Sequence, residues 1–161
     1  MRYLLVPTAV SRSPPIGNTR CTLRLKLPFR LAIYATFAIL FLTGLGWLVA
    51  DWRKEISGDE IWQQAIAYLL MIHGGAAMVT LMMVGALIPI HLMRAWRSRT
   101  NRVSGAVMAT FNAILIGTAF GLYYLGSETL RPWISWTHIA AGFSLALMFP
   151  LHIYWGRRKL R

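Results

Sequence analysis

The sequence predicts an all-α membrane protein: a four-transmembrane-helix up-down bundle with both termini in the cytoplasm, built as a duplicated helical hairpin. Three observations predict it. Residues 31–50, 61–93, 103–127 and 132–156 carry no formal charge, in a chain of 161 residues that is 57% hydrophobic. Each block reaches the roughly 20 residues that an apolar helix needs to cross a bilayer core. The charges between the blocks are sorted by sign, and all four histidines fall in the second and fourth blocks.

Taken in order, residues 1–29 are polar, basic and interrupted by proline, as in SRSPPIGNTR at 11–20. They are expected to form a disordered cytoplasmic tail, or to follow a start codon placed too early. YLLVPTAV at 3–10 is too short and too broken for the apolar stretch of a signal peptide, so the first helix, over 31–50, serves as its own insertion signal. The sole cysteine, Cys21, lies in the tail, which excludes a disulfide, a thiolate metal cluster and the C-x-x-C-H pattern of covalent haem attachment. At about 1.5 Å per residue the second block overshoots a bilayer, so Ile61–Gln64 read as interfacial and the span as 66–93. The third and fourth blocks each fit one crossing, the whole bundle covers 30–156, and 157–161 form a basic cytoplasmic end. The apolar/polar alternation of β-barrel strands is missing.

A net charge of +12 would suggest nucleic acid if the chain were soluble, but the distribution argues against that partner. Fourteen cations and no acid lie before the first block, between the second and third (Arg94, Arg97, Arg99, Arg102) and after the fourth (Arg157, Arg158, Lys159, Arg161). The other two loops hold Arg53, Lys54 and Arg131 beside all five acids. The positive-inside rule then puts both termini in the cytoplasm. Trp47, Trp52, Trp62, Trp133 and Trp136 mark the outer interface, and Trp96 and Trp155 the inner one.

His73 and His91 belong to the second helix, His138 and His152 to the fourth. At 100° per residue a step of eighteen returns to the same face and a step of fourteen falls within about 40° of it, so each helix aims two imidazoles one way. His73 and His138 then lie toward the outer leaflet, His91 and His152 toward the inner one. Histidine is costly in lipid, so two matched pairs point to a site, whereas a lone one serves equally well as interhelical glue. Zinc wants three or four protein ligands, and no Cys, Asp or Glu lies inside any span to complete a set. Same-helix histidines stand about 21–27 Å apart and cannot share an ion. Haem iron needs only two axial ligands from the protein. Two haem b groups, held without covalent attachment, fit two His pairs.

The stretches PIH at 89–91 and PLH at 150–152 repeat one pattern, in which proline two residues before the inner histidine removes a helix hydrogen bond and favours a kink. Small residues gather near the histidines: Gly74, Gly75, Ala77 and Gly142, with Gly44, Gly46, Gly117 and Gly121 on the other two helices. They suit close helix packing or room for the face of a macrocycle equally well. ATF at 35–37 recurs at 109–111, and Thr43–Gly46 resembles Thr118–Gly121. A duplicated hairpin would set the second and fourth helices facing each other across the bundle. The unequal steps of eighteen and fourteen leave about 6 Å for tilt, kinks or shared offsets to absorb.

Two histidines on each of the second and fourth helices of a four-helix bundle resemble the di-haem core of cytochrome b from the quinol–cytochrome c oxidoreductases. The pattern is also similar to the small bacterial b-type cytochrome subunits that anchor periplasmic dehydrogenases. The resemblance is architectural, covers 30–156 and rests on His73, His91, His138, His152 and a few glycines. The chain departs from the first family in the eighteen-residue step and in having no Pro-Glu-Trp-Tyr stretch, so that family's quinol-oxidation site does not carry over. It departs from the second in having no ligand on the first helix.

The resemblance implies transmembrane electron transfer in a bacterial inner membrane by a subunit of an oxidoreductase complex. A periplasmic dehydrogenase or c-type cytochrome would stand on one side and the quinone pool on the other. Arg94, Arg131 and Arg157 are placed where haem propionates would emerge, although each also suits an ordinary interfacial anchor. The acidic stretch 51–60 reads either as a solvated loop or as a dock for a basic partner. No residue has the setting of a nucleophile or general acid–base. Two alternatives stay open: a self-contained quinone or superoxide oxidoreductase, and a haem-free scaffold or transporter subunit.

Overall fold

The computed structural model describes residues 26–97 and 102–158, with the side chains of Ile90, His91, Arg94, Ala95 and Arg157 outside that description. The expected tail up to residue 25, including Cys21, and the last three residues of the basic end lie outside the described residues. The order is α1 (Leu27–Ser57), α2 (Glu60–Leu87), a π turn (Ile88–Leu92), α3 (Met93–Arg97), α4 (Arg102–Tyr124) and α5 (Leu130–Arg158), with no strand among the described residues. Helices α1, α2, α4 and α5 are each long and apolar enough to cross a membrane, the architecture of a multi-pass membrane protein. Their surface agrees: Met78 and Leu147 are both 70% exposed and Met82 68%. Apolar exposure on that scale has lipid as its natural solvent.

The helix ends differ from the sequence expectation in physically simple ways. Pro28 sits in the first turn of α1, where its missing N–H costs nothing, so residues 27–29 are helix and not tail. At the other end no breaker interrupts 51–57, and α1 continues to Ser57. Gly58 then takes φ 68°, a left-handed conformation in which its N–H reaches the Lys54 carbonyl at 2.9 Å. The acidic stretch 51–60 is therefore a helical tip with a two-residue turn, not a loop, and Arg53 lies over the Trp62 ring at 5.3 Å to close it.

The two proline sites also part company. Around Pro89 the helix widens into the π turn, with the Met93 N–H bonded to the Ile88 carbonyl, while α5 runs on as α-helix through Pro150. A π turn moves the preceding carbonyls away from the proline ring. The β-branched Ile88 before Pro89 crowds an α turn further, whereas the unbranched Phe149 precedes Pro150. One residue is inserted by such a turn, which takes about 1.5 Å off the axial step from His73 to His91 and narrows the mismatch with α5. The same insertion breaks the uniform α-helical phase from which one shared face for His73 and His91 was expected.

Packing makes two antiparallel hairpins. Helix α1 lies along α2 and α4 along α5; between the hairpins the main contact is α1 with α5. That seam is aromatic: Phe37 stacks on Phe149 at 4.7 Å between centroids, Tyr34 meets Phe149 edge-on at 5.8 Å, and Phe41 meets Phe143 edge-on at 5.7 Å. Helices α2 and α5 stand on a diagonal, and neither α2–α5 nor α2–α4 makes a comparable backbone approach. Removing the ring that both Tyr34 and Phe37 touch should matter more than removing a lipid-facing one. Phe149→Ala, which loses two ring contacts, should cost about 1–3 kcal/mol in a mixed-micelle unfolding titration, and Phe120→Ala, which loses only its stack on Tyr124, about half as much.

Candidate functional site

The two histidines expected as the outer pair meet across the diagonal. His73 on α2 and His138 on α5 stand with ring centroids 6.3 Å apart and planes at 66°. Each ring is held from its own hairpin. Thr43 Oγ1 lies 2.9 Å from His73 Nδ1, and Thr118 Oγ1 lies 2.8 Å from His138 Nδ1.

A hydroxyl has one hydrogen, and its placement follows from the remaining neighbours. Thr43 Oγ1 is 2.6 Å from the Ile39 carbonyl and 3.2 Å from that of Leu40; Thr118 Oγ1 is 2.7 Å from the Ile114 carbonyl and 3.2 Å from that of Leu115. Carbonyls only accept, so the threonine hydrogen goes to its own helix and its lone pairs face the imidazole. The imidazole nitrogen must then be the donor. Both rings become Nδ1–H tautomers, which leaves each Nε2 as an unprotonated donor atom for a metal.

The surroundings of the two pairs match position for position. Three residues after each threonine a glycine lets the helices close: a Cβ on Gly46 would stand 3.2 Å from Leu69, and one on Gly121 3.2 Å from Ile134. Leu69 and Ile134 each precede the histidine by four residues. Sequence reading noted the Thr-x-x-Gly recurrence but missed the threonines as hydrogen-bond partners; the recurrence was the signal. Of the remaining glycines, a Cβ on Gly44 would touch His73 Cε1 at 3.5 Å, so α1 is bare beside that ring. Gly74, Gly75, Gly117 and Gly142 have nothing within 4 Å of such an atom. Gly142 lies one turn beyond His138, at the place Ala77 takes relative to His73.

At the level expected to be the inner one, His152 Nδ1 lies 3.2 Å from Ser104 Oγ on α4. Ser104 precedes Thr118 by the same fourteen residues that separate His138 from His152, so α4 supplies a hydroxyl to both histidines of α5. His91 lies in the π turn, Arg94 in α3 and Arg157 near the end of α5, with all three side chains outside the described ones. Arg131, at the start of α5, donates from Nη1 to the Leu122 carbonyl at 3.1 Å and ties the end of α4 to α5.

The outer pair passes a simple fit test. With metal–nitrogen bonds of about 2 Å and roughly 1 Å from a ring nitrogen to its ring centre, two imidazoles on opposite sides of one ion stand about 6 Å apart. The observed separation is of that size. Among the described residues no group of three His, Cys, Asp or Glu could hold a metal, so an ion here would take two protein ligands and draw the rest from elsewhere. A macrocycle that brings four nitrogens meets this condition. No family model matches the chain, and no curated protein or solved structure shows significant similarity to it.

The tautomer assignment has a direct check. Nitrogen-15 spectra of the purified protein should show His73 and His138 as Nδ1–H tautomers. Thr43→Val should release His73 alone from that state, and Thr43→Ser should preserve it.

Proposed function

We propose that this protein is a transmembrane electron carrier that holds two b-type haems, one between His73 and His138 near the outer face and one between His91 and His152 near the inner face. The observation that carries the reading is the outer pair: two imidazoles from diagonal helices at 6.3 Å, each with Nδ1 held by a threonine of its own hairpin. Such a hydrogen bond raises the basicity of the free nitrogen and fixes the ring plane, as supports behind metal-bound histidines do. When bound, the haem iron supplies reversible one-electron oxidation and reduction.

The protein's own part is to orient and to insulate. Thr43, Thr118 and Ser104 hold ring nitrogens, Gly44 lets the His73 ring lie against α1, and Gly142 leaves space one turn beyond His138. The charge-free spans exclude water and protons from the path between the two levels. Arg94, Arg131 and Arg157 stand at helix ends as counter-charges for propionates. The direction of the bundle follows from its charges, with both termini and the basic 94–102 segment in the cytoplasm of a bacterial inner membrane and the α1–α2 tip outside. We assign substrate chemistry to partners: a periplasmic dehydrogenase or c-type cytochrome on the outer side, and the quinone pool within the membrane.

Two measurements test the reading. A pyridine haemochrome assay on protein purified from haem-replete cells should give two haem b per chain; a colourless preparation refutes the proposal. His73→Leu and His138→Leu should each remove one haem, and the double variant should lose no more than either single one. For orientation, native Cys21 should react with a membrane-impermeant thiol reagent only after permeabilisation, whereas Gly58→Cys in a Cys21→Ser background should react in intact spheroplasts.

A further inference from the structure

One buried donor in the outer half of the bundle has no acceptor. Trp47 Nε1 is shielded from solvent and has no hydrogen-bond partner among the described residues. An indole N–H under cover ordinarily finds a partner, and one left without is costly because it has given up its bond to water. Its position is specific. Trp47 follows Thr43 by four residues, which puts it one turn outward and about 40° round the helix, on the side of Gly44. Side chains on a helix lean back toward its N-terminus, a direction that takes the indole of Trp47 toward the turn of Thr43 and Gly44, and His73 lies against that turn.

We infer that the indole N–H of Trp47 is the hydrogen-bond donor for a carboxylate of the group held between His73 and His138. The inference rests on the haem reading of that pair, since haem b carries two propionate carboxylates. At the corresponding place one turn beyond Thr118 stands Leu122, which has no such donor, so the contact would set one rotational placement of the ring over its alternatives. Trp47 is thus a specificity-determining residue, and its effect depends on the carboxylate being free.

That dependence supplies the test. Wild-type protein and Trp47→Phe, which keeps an aromatic ring and removes only the N–H, are titrated with haem b and with haem b dimethyl ester. Ultraviolet resonance Raman difference spectra between the two proteins follow the indole N–H. The expected result is that Trp47→Phe binds free-acid haem about tenfold to a hundredfold more weakly, the range for a hydrogen bond to a charged group, yet binds the ester as the wild type does. In the wild type the indole band should shift to its hydrogen-bonded position on loading with free-acid haem and stay put with the ester. Equal weakening for both haems, or for neither, overturns the role of Trp47 and leaves the haem site standing. Failure of the wild type to take up either haem overturns both.

Discussion

The constraint on which the structure depends is that an imidazole in a lipid-facing bundle cannot leave its ring N–H unmet. At the outer level the answer is a hydroxyl on the neighbouring helix of the same hairpin: Thr43 for His73 and Thr118 for His138. Each threonine is itself tied to its own backbone, so the histidine acts as donor through Nδ1 and its second nitrogen carries no hydrogen. Close helix packing serves the same end. Gly46 and Gly121 let the partner helix approach until a threonine can reach a ring, and a larger residue at either place would press on Leu69 or Ile134. The hairpin, the hydrogen bond and the tautomer form one unit, which occurs twice.

Much of this was legible in the sequence because membrane helices are constrained so simply. Charge-free blocks gave four spans and the histidine positions gave two levels; the structure has the four helices, and the outer pair meets. Helix ends were less legible. The sequence carries no sign that Asp51–Ser57 stay helical, because charged residues are as good in a helix as in a loop, and only Gly58 marks the stop. PIH and PLH read as one device, and the backbone treats them differently where the residue before proline is β-branched Ile88 in one and Phe149 in the other. The threonine contacts were hidden for another reason. Thr43 and Thr118 precede their histidines by 30 and 20 residues, so no fixed spacing announces them, and they emerge only once the hairpins are folded.

The inner level is built by a related but unequal rule. Helix α4 serves both histidines of α5 through Thr118 and Ser104, whereas the matching place for α1, eighteen residues before Thr43, lies outside the described residues. His91 is instead placed by the π turn, an irregularity of its own helix. The two copies of the hairpin therefore agree around His73 and His138 and differ in the backbone that carries the second histidine, a π turn in one and unbroken α-helix in the other.

The aromatic seam between α1 and α5 has a mechanical consequence. Within each hairpin the threonine–histidine bond and the glycine contact fix the sliding register, so α1 with α2, and α4 with α5, move as plates. The plates join along Phe37, Phe41, Phe143 and Phe149, and the facing edges α2 and α4 make no matching contact. The bundle is bound like a book with its spine at α1–α5. The side with the fewest described contacts is the α2–α4 side, where one clasp holds the pages at a single end: Arg102 at the start of α4 donates to the Trp96 carbonyl of α3 at 2.7 Å.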